Sequence, residues 1–184
     1  MKKVFIFLAE GFEETEAVAT MDVMLRGGLN VTSVSITGKS LVTGAHGIVV
    51  NADMLFEKTD ISSADMLVLP GGMPGASNLN AHAGVKNALT QFAASGKKIA
   101  AICAAPLVLG GLELLQGKKA TAYPGFESTL KGATYVNSPT VKDGNIITGR
   151  GPGFAFQFGL AIVEELMGKA KADEVAEGLL LKLL

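Results

Sequence analysis

The chain contains a single cysteine, set in Lys97-Lys98-Ile99-Ala100-Ala101-Ile102-Cys103-Ala104-Ala105-Pro106. Two lysines followed by a short run of Ile and Ala read as a strand covered on both faces. Pro106 has no N–H to donate and suits the first turn of a helix, which puts Cys103 where that strand turns into the helix. A thiol there meets unpaired N–H groups and the positive end of a helix dipole. Both favour the thiolate, which is the nucleophilic form. Ala101 and Ala105 flank it two residues away on either side. They are small enough for a sharp strand-nucleophile-helix turn of the Gly-x-Ser-x-Gly kind, with cysteine in the serine's place. The competing reading is an inert cysteine packed as a small hydrophobe.

Two further stretches hold groups that chemistry could use. Pro70-Gly71-Gly72-Met73-Pro74-Gly75 directly follows the apolar run Met66-Leu67-Val68-Leu69. A glycine pair at a strand's C-terminal edge lets the backbone approach a ligand or present an N–H. It lacks the Lys and Ser/Thr of a phosphate loop and does not match the dinucleotide fingerprint. Glu13, Glu14 and Glu16 crowd the start of a predicted helix, where carboxylates complement the dipole. His46 reads as an exposed loop residue and His82 as a surface or capping residue. One cysteine and two distant histidines make no zinc spacing, so no metal is expected.

The elements that must position these groups alternate between strand and helix. Lys3 to Leu8 is a first strand, and Glu13 to Arg26 a helix with Ala17, Val18, Met21, Met24 and Leu25 as its apolar face and Gly27-Gly28 as its stop. Strands are expected over Val31 to Ile36, Met66 to Leu69, Ala120 to Tyr123, Tyr135-Val136 and Val141 to Thr148, the last bent at Asp143-Gly144-Asn145. A hairpin joins Leu41-Val42 to Ile48-Val49-Val50. Helices are expected over Val85 to Ala94, after Pro106, over Phe154 to Met167 and over Lys171 to Leu184. Gly149-Arg150-Gly151-Pro152-Gly153 is a tight loop. This alternation, with no internal repeat or long linker, argues a doubly wound α/β sandwich.

Composition narrows the function classes. The 184 residues are 48% apolar with a formal charge of -1. That is one domain, 1–184, able to bury a substantial core and without the basic footprint of a nucleic-acid binder. The apolar opening from Val4 to Ala9 meets Glu10 at once, too soon for an export signal or a membrane span. A lone free thiol fits a reducing cytoplasm.

Taken in order, Glu13-Glu14-Thr15-Glu16, Leu69-Pro70-Gly71-Gly72, Ala100 to Pro106 and Arg150-Gly151-Pro152-Gly153 resemble the ThiJ/PfpI superfamily. The resemblance runs from Lys3 to about Met167 and is strongest to the subfamily of the parkinsonism-associated protein deglycase and its bacterial homologues, some of them named for thiazole-monophosphate biosynthesis. It implies a flavodoxin-like, class I glutamine amidotransferase-like fold: a mostly parallel sheet with helices on both faces, usually as a homodimer. It also implies Cys103 as nucleophile on a strained elbow, Glu16 as its carboxylic partner, and the Gly72 and Ala104 amides as oxyanion donors. Gly71, Glu13, Tyr123, Arg26, Arg150 and Pro152 match positions near the substrate or the dimer contact. A protonated Glu16 donating to sulfur would hold the thiol below its free value of about 8.5.

The implied activity is a glutathione-independent glyoxalase or protein deglycase acting on methylglyoxal-type α-oxoaldehydes or their adducts, without a cofactor. The alternative is an oxidative-stress sensor or redox-regulated chaperone working through oxidation of Cys103. The chain departs from the pattern at three places. Tyr123 stands where a histidine is common in relatives and Ala105 where glycine is common. Ala104 occupies the place where the peptidase branch has histidine, which argues against a Cys-His protease.

Overall fold

The computed structural model describes residues 1–181. Its core is a seven-stranded sheet in the order β10-β11-β7-β6-β1-β2-β5. In chain order the strands of this sheet are β1 (Lys3–Leu8), β2 (Asn30–Ser35), β5 (Met54–Leu55), β6 (Met66–Leu69), β7 (Lys98–Ile102), β10 (Thr140–Asp143) and β11 (Ile146–Gly149). All neighbours run parallel except β10, which folds back on β11 around the expected Asp143-Gly144-Asn145 bend. Two small sheets stand apart: the expected hairpin of β3 (Leu41–Thr43) with β4 (Val49–Asn51), and β8 (Lys119–Ala120) with β9 (Thr134–Tyr135).

Side chains of the central strands alternate between two cores, as the period of two requires. Val4, Ile6 and Leu8 of β1, with Ala100 and Ile102 of β7, join one cluster. Helices α1 (Glu14–Arg26), α5 (Ala155–Met167) and α6 (Lys169–Gly178) cover it. Phe5 and Phe7, with Ile99 and Ala101, join the other, beneath α3 (Ala83–Ala94) and α4 (Pro106–Gly111). The short helix α2 (Gly75–Ala81) sits at the sheet edge and gives Ala76 to the first cluster and Leu79 to the second. Helices on both faces explain why β1, β6 and β7 read as unbroken apolar runs. These layers are the doubly wound α/β sandwich read from the alternation of elements, in the flavodoxin-like form that the family resemblance implied.

The structure differs from expectation in several places. Residues 121–123 are not strand, because the Thr121 N–H goes to the Thr148 hydroxyl and the Tyr123 N–H to the Cys103 carbonyl, leaving no ladder to extend. The apolar face of α1 is divided. Ala17, Val23 and Met24 are buried, whereas Val18 and Leu25 point outward at 48% and 56% exposure. The last helix starts earlier, at Lys169, and stops at Gly178; residues 182–184 of the expected helix lie outside the described residues. Helix α2 and edge strand β5 were not anticipated. Both are short, and their sequences carry no period to read.

Candidate active site

The three parallel strands β1, β6 and β7 end on one edge of the sheet, and each hands the chain to a loop that joins the site. After β7, Cys103 takes φ 65°, the left-handed region that costs a non-glycine residue about 1–2 kcal/mol. Its conformation is held from both sides. The Cys103 N–H donates to the Gly149 carbonyl at 2.9 Å, and its own carbonyl accepts the Tyr123 N–H at 2.9 Å. Pro106 then opens α4 as expected. With only six residues, that helix adds little dipole at the sulfur. The elbow is therefore present, and the thiol is 8% exposed.

The second loop, after β6, approaches the elbow so closely that only glycine fits. A Cβ on Gly71 would lie 2.7 Å from the Cys103 Cβ and 2.8 Å from Glu16 Oε2. Gly72 sits at φ 87° against the Glu13 backbone. Gly71 binds the start of α1 through both its polar groups: its N–H donates to Glu16 Oε2 at 2.7 Å, and its carbonyl accepts the Glu13 N–H at 2.9 Å. Glu13 caps α1, its carboxylate taking the Glu16 N–H at 2.6 Å.

Glu16 has no exposed surface. Its Oε1 is buried without a nitrogen or oxygen partner, and the Cys103 side chain is its hydrogen-bonding neighbour. Burial raises this carboxyl to about 7; the hydrogen bonds of Cys103 and Gly71 pull it back only in part. The sulfur departs from expectation. Burial and the charge of an ionised Glu16 push the Cys103 thiol up, and hydrogen bonds from the Ala104 and Gly72 N–H groups reverse only part of that. The low thiol pKa expected from sequence is thus not available while Glu16 is charged. A thiolate at neutrality requires the shared proton to sit on Glu16, and the pair titrates as a unit.

Tyr123, Arg150 and Pro152 line a groove of about 240 Å3 beside the elbow, together with Phe154. A larger cavity, about 390 Å3, lies over the ends of β1 and β2 near His82 and does not include the sulfur.

The profile of the DJ-1/PfpI family matches residues 2–165. The chain belongs to the DJ-1/PfpI family. Across 98% of its length it is 44% identical to protein DJ-1 homolog A of Arabidopsis thaliana, spanning 47% of that longer protein. It is 35% identical to a deglycase of Pyrococcus abyssi, over 82% of this chain and 91% of that one. The structure of oxidized Toxoplasma gondii DJ-1 superposes with a TM-score of 0.94 at 36% identity, covering 98% of each chain. The ThiJ/PfpI resemblance read from the four sequence motifs is therefore correct, and so is the fold it implied.

Within this DJ-1/PfpI fold, Cys103, Glu16, Gly71, Gly72, Ala104 and Glu13 converge, with Tyr123, Arg150 and Pro152 alongside. Arg26 does not join them. It lies ten residues beyond Glu16 on α1, ~15 Å along the axis, and pairs with Asp22 at 2.7 Å on the surface. Sequence reasoning missed Gly149, whose carbonyl anchors the elbow; its place just before Arg150 in the tight loop was the available signal. It also missed what Glu14 does. That carboxylate is buried and takes the His46 ring Nδ1 and the His46 N–H, each at 2.7 Å, and the Ile48 N–H at 3.3 Å. Glu13, Glu14 and His46 present possible ligand atoms within 4.8 Å of one another, a grouping that linear spacing did not reveal. His46 is exposed as expected, and His82 caps α3 by accepting the Val85 N–H. Among the described residues no helix is long and apolar enough to cross a membrane.

Proposed function

We propose that this protein is a cysteine-dependent glyoxalase or deglycase that acts on methylglyoxal-type α-oxoaldehydes or their thiol and amine adducts. The observation that carries the reading is the buried Glu16, raised to about 7, facing the Cys103 side chain on its strained elbow. The Cys103 thiolate adds to the aldehyde carbon, and protonated Glu16 delivers a proton to the resulting alkoxide. The Gly72 and Ala104 N–H groups, which bond to sulfur in the resting protein, lie close enough to stabilise that oxyanion as it forms. The Glu16 carboxylate then removes the hydrogen of the former aldehyde carbon and returns a proton to the neighbouring carbon. This turns the hemithioacetal into a thioester of the hydroxyacid. Water hydrolyses the thioester, releasing lactate and restoring the thiol. The sequence uses no metal or nucleotide. The named activity of the Pyrococcus abyssi relative supports this class.

The test is lactate formation from methylglyoxal by the purified protein. Cys103→Ser and Glu16→Ala are each expected to lower kcat/KM by at least about a hundredfold. Undiminished turnover in either variant would remove the mechanism.

A second reading uses the same site: a peroxide oxidises Cys103 to a sulfinic acid that hydrogen-bonds Glu16. The buried Oε1 of Glu16, which has no nitrogen or oxygen partner, favours it. Mass spectrometry after mild peroxide should show two added oxygens on Cys103, and an unmodified thiol would contradict it. Homodimer formation is part of the proposal as well. Val18, one turn after Glu14 on α1, is exposed, as are Ile48 and Val49 of the loop that Glu14 binds, and these are the apolar side chains assigned to the dimer contact. Val18→Glu should convert the sedimenting species from dimer to monomer.

A further inference from the structure

The groove beside the elbow has an uncompensated charge. Arg150 lines it half-buried, and among the described residues its guanidinium makes no ion pair or side-chain hydrogen bond. No acidic side chain lines the groove; its other side chains are Tyr123, Pro124, Pro152 and Phe154. A guanidinium carries five donors in a planar fork that matches a carboxylate, and a partly desolvated one without an acceptor is costly to keep unless a ligand supplies it. Backbone hydrogen bonds tie residues of the groove and its neighbours to the elbow. Tyr123 donates its N–H to the Cys103 carbonyl, and Gly149, the residue before Arg150, accepts the Cys103 N–H.

We infer that this groove seats a carboxylate carried by the substrate: the preferred α-oxoaldehyde or adduct is acidic at the end away from its reacting carbonyl, with the apolar body between lying against Tyr123 and Phe154. The inference rests on Cys103 being the attacking group and deepens that reading by naming a substrate class. Arg150 here is a specificity residue. It touches the far end of the substrate and takes no part in the proton transfers.

Alkylation tests it without requiring turnover. 4-(Iodoacetamido)butanoate and N-butyliodoacetamide deliver the same carbon electrophile and differ in a carboxylate at the far end of a short apolar chain. The ratio of their rate constants at Cys103 is compared with the same ratio for free 2-mercaptoethanol. One cation at close range in an effective dielectric of about 20 should raise the protein's ratio about tenfold, and salt should flatten the gain. Arg150→Gln should return the ratio to within about twofold of the free thiol, and Arg150→Lys should keep most of it. A wild-type ratio no higher than that of the free thiol, a ratio untouched by Arg150→Gln, or a Cys103 unreactive toward both reagents would overturn the inference. An ordinary ratio in a protein that forms lactate sinks the acidic-substrate inference alone. A raised ratio without lactate sinks the turnover reading alone.

Discussion

Glu14 and Glu16 stand two residues apart in the first turn of one helix, both buried, yet their surroundings drive them in opposite directions. Burial pushes Glu14 up, but the His46 ring and backbone N–H groups, those of His46 and Ile48 among them, outweigh it and hold the carboxylate below its ordinary range. Glu16 receives one N–H, from Gly71, and otherwise faces a thiol, so burial wins and the group rises to about 7. Desolvation alone does not decide whether a buried acid is a permanent anion or a proton carrier. The count of donors aimed at it does. Glu14 fastens a loop; Glu16 is left able to exchange a proton near neutrality.

The sharpest way to break this contrast is to remove each carboxyl in turn. Glu16→Ala should abolish the chemistry at Cys103 while the fold persists. Glu14→Ala should do the reverse. It orphans the His46 and Ile48 N–H groups and loosens the 44–48 loop, costing about 1–3 kcal/mol by chemical denaturation, with Cys103 reactivity per folded molecule unchanged. Equal loss of reactivity in both variants would mean that the two acids do not have separate tasks.

A smaller, more specific effect concerns pH. Glu16 has its folded pKa raised from 4.5 to about 7, so protonation favours the native state. Its contribution is complete below pH 4.5 and is lost as pH rises through 7, an upper limit of about 3 kcal/mol. The wild type should therefore lose stability across that window relative to Glu16→Gln, which has nothing there to titrate. His46, raised by its Glu14 partner, contributes in the same sense in both proteins and cancels in the comparison. Parallel stability curves would show that Glu16 is not perturbed.

The contrast also marks what sequence could reveal. The runs Val4 to Leu8, Met66 to Leu69 and Ile99 to Ile102 were readable as central strands because burial on both faces leaves no polar interruption. Cys103 at an elbow was readable because Pro106 and two alanines constrain the turn. The separate roles of Glu13, Glu14 and Glu16 were not. Three acids in a first turn all satisfy the helix dipole, and only the tertiary approach of Gly71 and of the 44–48 loop tells them apart. Family resemblance singled out Glu16; local pattern did not. Val18 and Leu25 were assigned to the core because a 3.6-residue period shows that a helix has an apolar stripe without saying which side of it is covered. The sulfur's dependence on its neighbour's proton escaped for a similar reason: it is a property of a pair brought together across 87 positions of chain.

The account's central claim is that the Cys103–Glu16 pair loses one proton near neutrality and that in the reactive form the proton left to the pair sits on Glu16. Its most direct test is the rate of Cys103 alkylation by iodoacetamide from pH 5 to 9 in the wild type and in Glu16→Leu. The account predicts a wild-type midpoint below the roughly 8.5 of a free thiol, displaced upward by a unit or more once the carboxyl is gone. A wild-type midpoint at or above the free thiol's, or one that Glu16→Leu leaves in place, would contradict it.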